Sequence, residues 1–280
     1  MEPRRDMGLA EVDVYLAAVV QMTSTSDAEA NWRSASGLVA RAAAHGASLV
    51  ATPEATNYLG PHDEKVRLAE PLAGPTVSRF RELAARHGVH LLLGSFNEKS
   101  DEQHRCYNTS VLIGPDGGIL GTYRKLHLFD VDVPDVRFAE SDTCKPGNDV
   151  VVVETPLGRI GLSICYDLRF PELYRLLVGQ GAEILAVPSA FTLTTGKDHW
   201  EPLLRARAIE NQCWLLAPAQ HGHHDDGGLR RSWGHAMIID PWGLVAACAP
   251  DGPGVAFAEI DLDRAHRVRR SMPVQQHRRL

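Results

Sequence analysis

Apolar runs of strand length at residues 14–21, 48–52 and 89–95 alternate with helical segments at 28–45 and 77–87. Strand-length runs separated by helices pair as parallel neighbours, and the helices cover the faces of the sheet they join. The middle of the chain changes character. Residues 108–113 and 119–123 flank Pro115-Asp116-Gly117-Gly118, and residues 150–154 and 159–164 flank Thr155-Pro156-Leu157-Gly158; both read as hairpins. A helix follows Pro171, then a strand at 183–188, a helix at 200–211, a strand at 213–217, and a last hairpin, 235–240 and 244–248, around Pro241-Trp242-Gly243. The sheet is therefore mixed, and the economical architecture is an α/β sandwich of helix-covered sheets.

No Ser/Gly linker, internal repeat or low-complexity tract divides the chain, so residues 13–262 are expected to form one domain. Residues 1–12 lack periodicity and read as a flexible leader. The Arg-rich stretch 263–280 reads as a solvated arm, the alternative being an arm packed on a partner subunit. With 280 residues and 44% of them hydrophobic, the chain buries a sizeable core. A net charge of −6 offers no broad basic surface, which excludes nucleic acid as the expected partner and favours small molecules. The apolar run at 14–20 is too short to span a membrane or to serve as a signal segment. Cysteines 106, 144, 165, 213 and 248 form no CxxC pair, and their odd number does not suit a disulfide framework. A reducing cytoplasm is the expected location.

Cys165 ends the apolar strand Ile160-Gly161-Leu162-Ser163-Ile164 and precedes Tyr166-Asp167-Leu168-Arg169-Phe170-Pro171, with Pro171 at a helix start. A thiol on such a turn is exposed to substrate. Backbone N–H groups there, that of Tyr166 first, face a developing oxyanion, and the helix's positive end favours thiolate. On composition alone a cysteine is more often a buried structural residue. None of the 13 histidines stands in a recognisable catalytic setting. Glu54 and Lys125, however, each follow a strand. Glu54 would take the thiol proton, pass it to the leaving nitrogen and later activate water, while Lys125 would stabilise the tetrahedral oxyanion.

Three segments carry a resemblance: Pro53-Glu54-Ala55, Tyr123-Arg124-Lys125-Leu126-His127-Leu128-Phe129, and Ile164-Cys165-Tyr166-Asp167-Leu168-Arg169-Phe170-Pro171-Glu172-Leu173. In identity and order they resemble the signature blocks of the nitrilase superfamily. The likeness runs from about residue 14 to the C-terminus. It implies a four-layer α-β-β-α sandwich, a Glu-Lys-Cys triad, no cofactor, no metal and a homodimer pairing sandwiches across their faces. A second glutamate of the superfamily is similar to Glu140 in Phe138-Ala139-Glu140-Ser141, which makes Glu140 a fourth catalytic candidate. Thr56 departs from the aromatic residue often found two positions after the base, which puts the pocket's shape in doubt.

Later stretches resemble the branch that hydrolyses deaminated glutathione. They are Pro188-Ser189-Ala190-Phe191-Thr192, Thr195-Gly196, His199-Trp200-Glu201, residues 204–210, Gln220 with its His-rich loop, Ser232-Trp233-Gly234-His235 and residues 273–279. The expected substrate is a small linear amide, read as a primary amide giving a carboxylate and ammonia through a thioester, with Phe191 and Thr195 helping to bind it. Omega-amidase action on 2-oxoglutaramate or succinamate is the runner-up, followed by N-carbamoyl amino acid hydrolysis. An inert interaction module of the same fold is the non-enzyme alternative. His221, His223, His224, Asp225 and Asp226 invite a metal, but adjacent ligands in one loop without a second anchored cluster do not meet metal geometry. Gly114-Pro115-Asp116-Gly117-Gly118 lacks the Gly-Lys-Ser/Thr ending of a phosphate loop. Arg205 and Arg207 are expected to pair with Glu201 or Glu210 at helical spacing.

Overall fold

The structure, a computed structural model, describes residues 14–133, 136–224 and 230–279. The expected leader therefore lies outside the described residues. β1 (Val14–Met22) leads into α1 (Ala28–Ala44), whose N-cap Asp27 accepts from the Ala30 N–H at 2.9 Å. β2 (Ala47–Ala51), the short α2 (His62–Arg67) and α3 (Pro75–His87) follow. α3 has Pro75 at its first turn and ends on Gly88 at φ +63°, the left-handed cap that glycine adopts without strain. β3 (His90–Lys99), β4 (Cys106–Ile113) and β5 (Ile119–Arg124) then run antiparallel to one another. The turn before β5 is closed by the Gly118 N–H donating to Asp116 at 2.8 Å, so the glycine-rich segment is a hairpin turn as expected.

A small hairpin, β6 (Asp130–Val133) and β7 (Val136–Ala139), stands apart from both sheets. The second half of the chain gives β8 (Val152–Thr155), β9 (Gly158–Leu162), α4 (Pro171–Gly179), β10 (Ile184–Ala186), α5 (Leu193–Asn211) and β11 (Trp214–Ala217). It closes with β12 (Ala219–His223), β13 (Arg231–Trp233), β14 (Met237–Ile239), β15 (Val245–Cys248), β16 (Gly254–Asp261), α6 (Leu262–Ser271) and α7 (Val274–His277).

One sheet has the order β13-β12-β1-β2-β3-β4-β5, with β16 pairing antiparallel along β1; the other has the order β15-β14-β11-β10-β9-β8. The period-2 rule explains the layers. Tyr15, Ala17 and Val19 of β1 face a core shared with Leu162, Leu185 and Leu215 of the second sheet. Ala18, Val20 and Met22, one position out of phase, face Ala35 and Val39 of α1 and Phe80 and Leu83 of α3. Trp32 of α1 meets Phe80 of α3 edge to face at 5.3 Å. On the other side Tyr174 and Leu177 of α4 and Trp200 and Leu204 of α5 cover the second sheet. The result is the four-layer α-β-β-α sandwich.

The Arg-rich stretch departs from the solvated arm expected of it. Asp261 caps α6 through the Arg264 N–H at 3.1 Å, and Leu262, Ala265 and Val268 are buried against the chain's own body. Arg269 donates to the Gln212 and Ala182 carbonyls at 3.1 and 2.8 Å. Three apolar residues at i, i+3 and i+6 make a narrow stripe that the surrounding arginines mask in the sequence.

Candidate active site

β9 and β10 run parallel, as do β2 and β3, and two antiparallel steps return β5 to the direction of β3. The carboxyl ends of β2, β5, β9 and β10 therefore open onto one cleft between the sheets, the usual place for a ligand in such folds. The cleft encloses about 850 Å³ of space open to solvent, and Glu54, Lys125, Glu140, Cys165, Tyr166, Phe191 and Thr195 all line it. Every residue singled out from the sequence as a site candidate thus meets there.

Glu54 leaves β2 on a turn in which Ala55 takes φ +55°. The Ala55 N–H donates to the Ser95 hydroxyl at 2.8 Å, and the Thr56 N–H to the Ser95 carbonyl at 3.0 Å. Gly94 makes this possible, since a Cβ there would lie 1.9 Å from the Thr52 carbonyl oxygen. Thr56 turns away from the cleft, donating to the Pro53 carbonyl at 2.6 Å. Glu54 Oε1 accepts from Lys125 Nζ at 3.0 Å and Asn108 Nδ2 at 2.9 Å, and its Oε2 accepts from the Ala190 N–H at 2.8 Å. Glu140 Oε2 accepts from Lys125 Nζ at 2.8 Å and from the Phe129 N–H at 2.8 Å. Lys125, 2% exposed, is thus clamped between two carboxylates.

Burial acts to discharge Lys125, but Glu140, Glu54 and Cys165 override it and hold its ammonium well above the ordinary range. Burial likewise works against the Glu140 carboxylate; Lys125, with help from Lys65, reverses that and holds Glu140 down to about 2. Both stay charged at neutral pH.

Cys165 opens a tight 3-10 turn, Cys165–Arg169, at φ +48°, a conformation costing a non-glycine residue about 1–2 kcal/mol. Hydrogen bonds hold it there: the Cys165 N–H donates to the Pro188 carbonyl at 2.9 Å and the Ile164 N–H to Asp167 Oδ2 at 2.8 Å. Fully buried Asp167 also accepts from the Tyr123 hydroxyl at 2.6 Å and the His127 N–H at 3.0 Å. It therefore ties the thiol's turn to the segment bearing Lys125. The expected push toward thiolate is not met. Burial raises the thiol well above its ordinary range, the Glu54 charge raises it further, and Lys125 only partly offsets them. The resting sulfur carries its proton.

Sequence reasoning missed Asn108, Asp167, Ala190 and Arg169. Asn108 sits on a strand read only for periodicity, and Ala190 lies in the loop between β10 and α5, where its backbone N–H carries no sequence signal. Arg169 lies within the recognised block, and its guanidinium stands 5.2 Å from the Phe191 ring centroid and 5.9 Å from that of Tyr166, in the cleft. Thr195 bonds Thr192 through their hydroxyls at 2.9 Å. Arg205 pairs with Glu201 at 3.6 Å and Arg207 with Glu210 at 3.0 Å, as expected. Arg207 also donates to the Leu168 carbonyl, bracing the Cys165 turn from below. His224 is buried with its ring nitrogens 2.8 Å from the Ser24 carbonyl oxygen and the Ser232 hydroxyl, a structural histidine; Asp225 and Asp226 lie outside the described residues. Among the described residues no group of three or more His, Cys, Asp or Glu side chains is placed to hold a metal ion, and no helix is long and apolar enough to cross a membrane.

The carbon-nitrogen hydrolase family model matches residues 16–270. A deaminated glutathione amidase of Synechocystis is 48% identical over 94% of this chain and 98% of its own, and the human deaminated glutathione amidase is 45% identical over 95% and 83%. Among solved structures, the Caenorhabditis elegans NitFhit protein aligns with a TM-score of 0.91 at 43% identity, covering 96% of this chain and 66% of the longer fusion protein. Saccharomyces cerevisiae Nit3, of the nitrilase superfamily, aligns with a TM-score of 0.86 at 30% identity over 97% and 98% of the two chains. The sequence blocks, the sandwich and these likenesses agree: the chain belongs to the carbon-nitrogen hydrolase family of the nitrilase superfamily.

Proposed function

We propose that this chain is a cysteine-dependent amidase acting on deaminated glutathione, with Glu54, Lys125 and Cys165 as its catalytic triad and Glu140 in support. The observation that carries the chemistry is the placement of Lys125 between Glu54 and Glu140 in the cleft that Cys165 lines. Because the resting thiol is protonated, Glu54 takes its proton as Cys165 Sγ attacks the amide carbon. The carbonyl oxygen becomes an oxyanion, held by Lys125 Nζ and the Tyr166 N–H. Collapse breaks the C–N bond, and the nitrogen leaves with the proton that Glu54 returns. Water, deprotonated by Glu54, then attacks the thioester and frees the carboxylate and the thiol.

In deaminated glutathione the amide joins a 2-oxoglutaryl group to cysteinylglycine, so it is a secondary amide and not the primary amide expected from the sequence, and the leaving group is that dipeptide's amine. With 2-oxoglutaramate or succinamate it is ammonia. All three are anions, and Arg169, held over Phe191 without a carboxylate partner among the described residues, is suited to a substrate carboxylate. Phe191 packs against the substrate's methylenes, and Thr195 lines the same wall. The names of the Synechocystis and human relatives support the longer substrate. The test compares kcat/KM for deaminated glutathione, 2-oxoglutaramate and succinamate under one condition. Preference for deaminated glutathione is expected; preference for the short amides would overturn the substrate and leave the chemistry standing.

The five free cysteines fit a reducing cytoplasm. A homodimer formed through the outer helical layer is supported by the exposure of Leu176 of α4 and Ile209 of α5, 55% and 46%, and light scattering tests it.

A further inference from the structure

The proposed mechanism leaves a buried pair of thiols beside the cleft unused. Cys106 opens β4, and Cys144 lies opposite it in a parallel bridge: the Cys106 N–H donates to the Thr143 carbonyl and the Lys145 N–H to the Cys106 carbonyl, both at 2.9 Å. Residues so paired sit about 4.8 Å apart across neighbouring strands. That spacing lies within the roughly 4.4–6.8 Å over which two cysteine Cα atoms can be bridged. Both side chains are buried, and Cys106 Sγ donates to the carbonyl of Thr143, the residue before Cys144, at 3.6 Å. Lys65, which lines the cleft, donates from Nζ to Cys144 Sγ at 3.0 Å. The Lys65 ammonium lies against the pair and favours loss of a proton from it, which makes the pair the readier nucleophile toward an oxidant.

The same two segments carry the catalytic set. Two residues along β4 from Cys106, Asn108 holds both Glu54 and Glu140. The Cys144 N–H donates to the Glu140 carbonyl at 2.8 Å, one turn back. We propose that Cys106 and Cys144 form a peroxide-responsive dithiol whose closure to a disulfide slows turnover at the adjacent site. The regulatory half of this rests on the amidase reading; the formation of the disulfide does not.

Peroxide enters by the cleft as far as Lys65. One thiol of the pair, on giving up its proton beside Lys65, attacks one peroxide oxygen: an S–O bond forms, the O–O bond breaks, and hydroxide leaves and takes up the displaced proton to become water. The other thiol's sulfur then attacks the sulfenic sulfur, its proton goes to the departing oxygen, and a second water leaves as the S–S bond forms. Two thiols are oxidised and one peroxide is reduced to two waters. Drawing the sulfurs to bonding distance, about 2.05 Å, pulls on the backbone of Asn108 and Glu140. It also weakens the sulfur acceptor that Lys65 has in Cys144 and leaves its charge to compete with Lys125 for Glu140.

The test titrates the protein with hydrogen peroxide, measures kcat, then denatures, alkylates and maps peptides without reduction. We expect a Cys106–Cys144 linked peptide with Cys165 still alkylated, kcat reduced about tenfold or more in step with the linkage, and recovery with dithiothreitol, since small misplacements in a site have effects of that size or larger. Cys106→Ala should lose that part of the response. If this variant does not fold, mapping of the unaltered protein decides alone. Free Cys106 and Cys144 after activity has fallen would overturn the proposal, because Cys165 oxidation then accounts for the loss. A linkage that forms with kcat unchanged would overturn the regulatory half. Should no amide be hydrolysed at all, the linkage is still read by mapping.

Discussion

Replacing Lys125 with Gln removes the cation that pairs with both Glu54 and Glu140. Glu140 stands at about 2 against an ordinary 4.5, despite burial that opposes its charge. A depression of that size corresponds to roughly 3 kcal/mol, at about 1.4 kcal/mol per unit, and is a ceiling for Lys125 because Lys65 shares in it. For a chain of this size the expected fall in melting temperature at pH 7.5 is about 5–10 °C. The sign with pH follows from the direction of the shift: a depressed carboxylate stabilises fully above 4.5 and loses that contribution as pH falls toward 2. The gap between the native protein and Lys125→Gln should therefore narrow in acid. Adding Glu140→Gln removes the stranded charge, and the double variant should recover part of the melting temperature and none of the activity. Calorimetry of the native protein, Lys125→Gln and the double variant between pH 3 and pH 7.5 measures this. A Lys125→Gln protein that melts with the native one, or a double variant less stable than the single, would refute the buried-clamp account.

The remaining predictions are read in simpler assays. Lys125→Gln should lower kcat by about a hundredfold or more with little change in KM, because its charge meets an oxyanion only in the tetrahedral state; a change in KM alone would make it a binding residue. Arg169→Met should raise KM at least about tenfold for anionic amides, and equal losses on a neutral amide would show that it serves structure instead. Alkylation of Cys165 by iodoacetamide should be slow at pH 7 and still accelerating beyond pH 9, since burial and Glu54 push its thiol up; a plateau near neutrality would contradict that order of effects.

The central strands were legible because burial on both faces leaves an unbroken apolar run: in β1, Tyr15, Ala17 and Val19 face one core and Ala18, Val20 and Met22 the other. What could not be read was pairing across long sequence distance. β16 runs along the whole of β1, Val14 opposite Asp261 to Gln21 opposite Gly254, yet nothing local to residues 254–261 says so. The β6–β7 hairpin escaped because alternating Asp130-Val131-Asp132-Val133 carries too few apolar residues to count as a run. In the cleft, charged residues at strand ends were visible as candidates. Their support was not, since Asp167 works through Tyr123 and His127, contacts that exist only once the two sheets are stacked.

The central claim is that Cys165 carries the acyl group of a linear amide. Intact-mass and peptide mass spectrometry of protein quenched in acid during turnover of deaminated glutathione tests it most directly. A covalent 2-oxoglutaryl increment mapping to Cys165, and missing from Cys165→Ala protein that melts as the native does, is the predicted result. Turnover without any increment on Cys165, or an increment carried by Cys106, Cys144, Cys213 or Cys248, would contradict it.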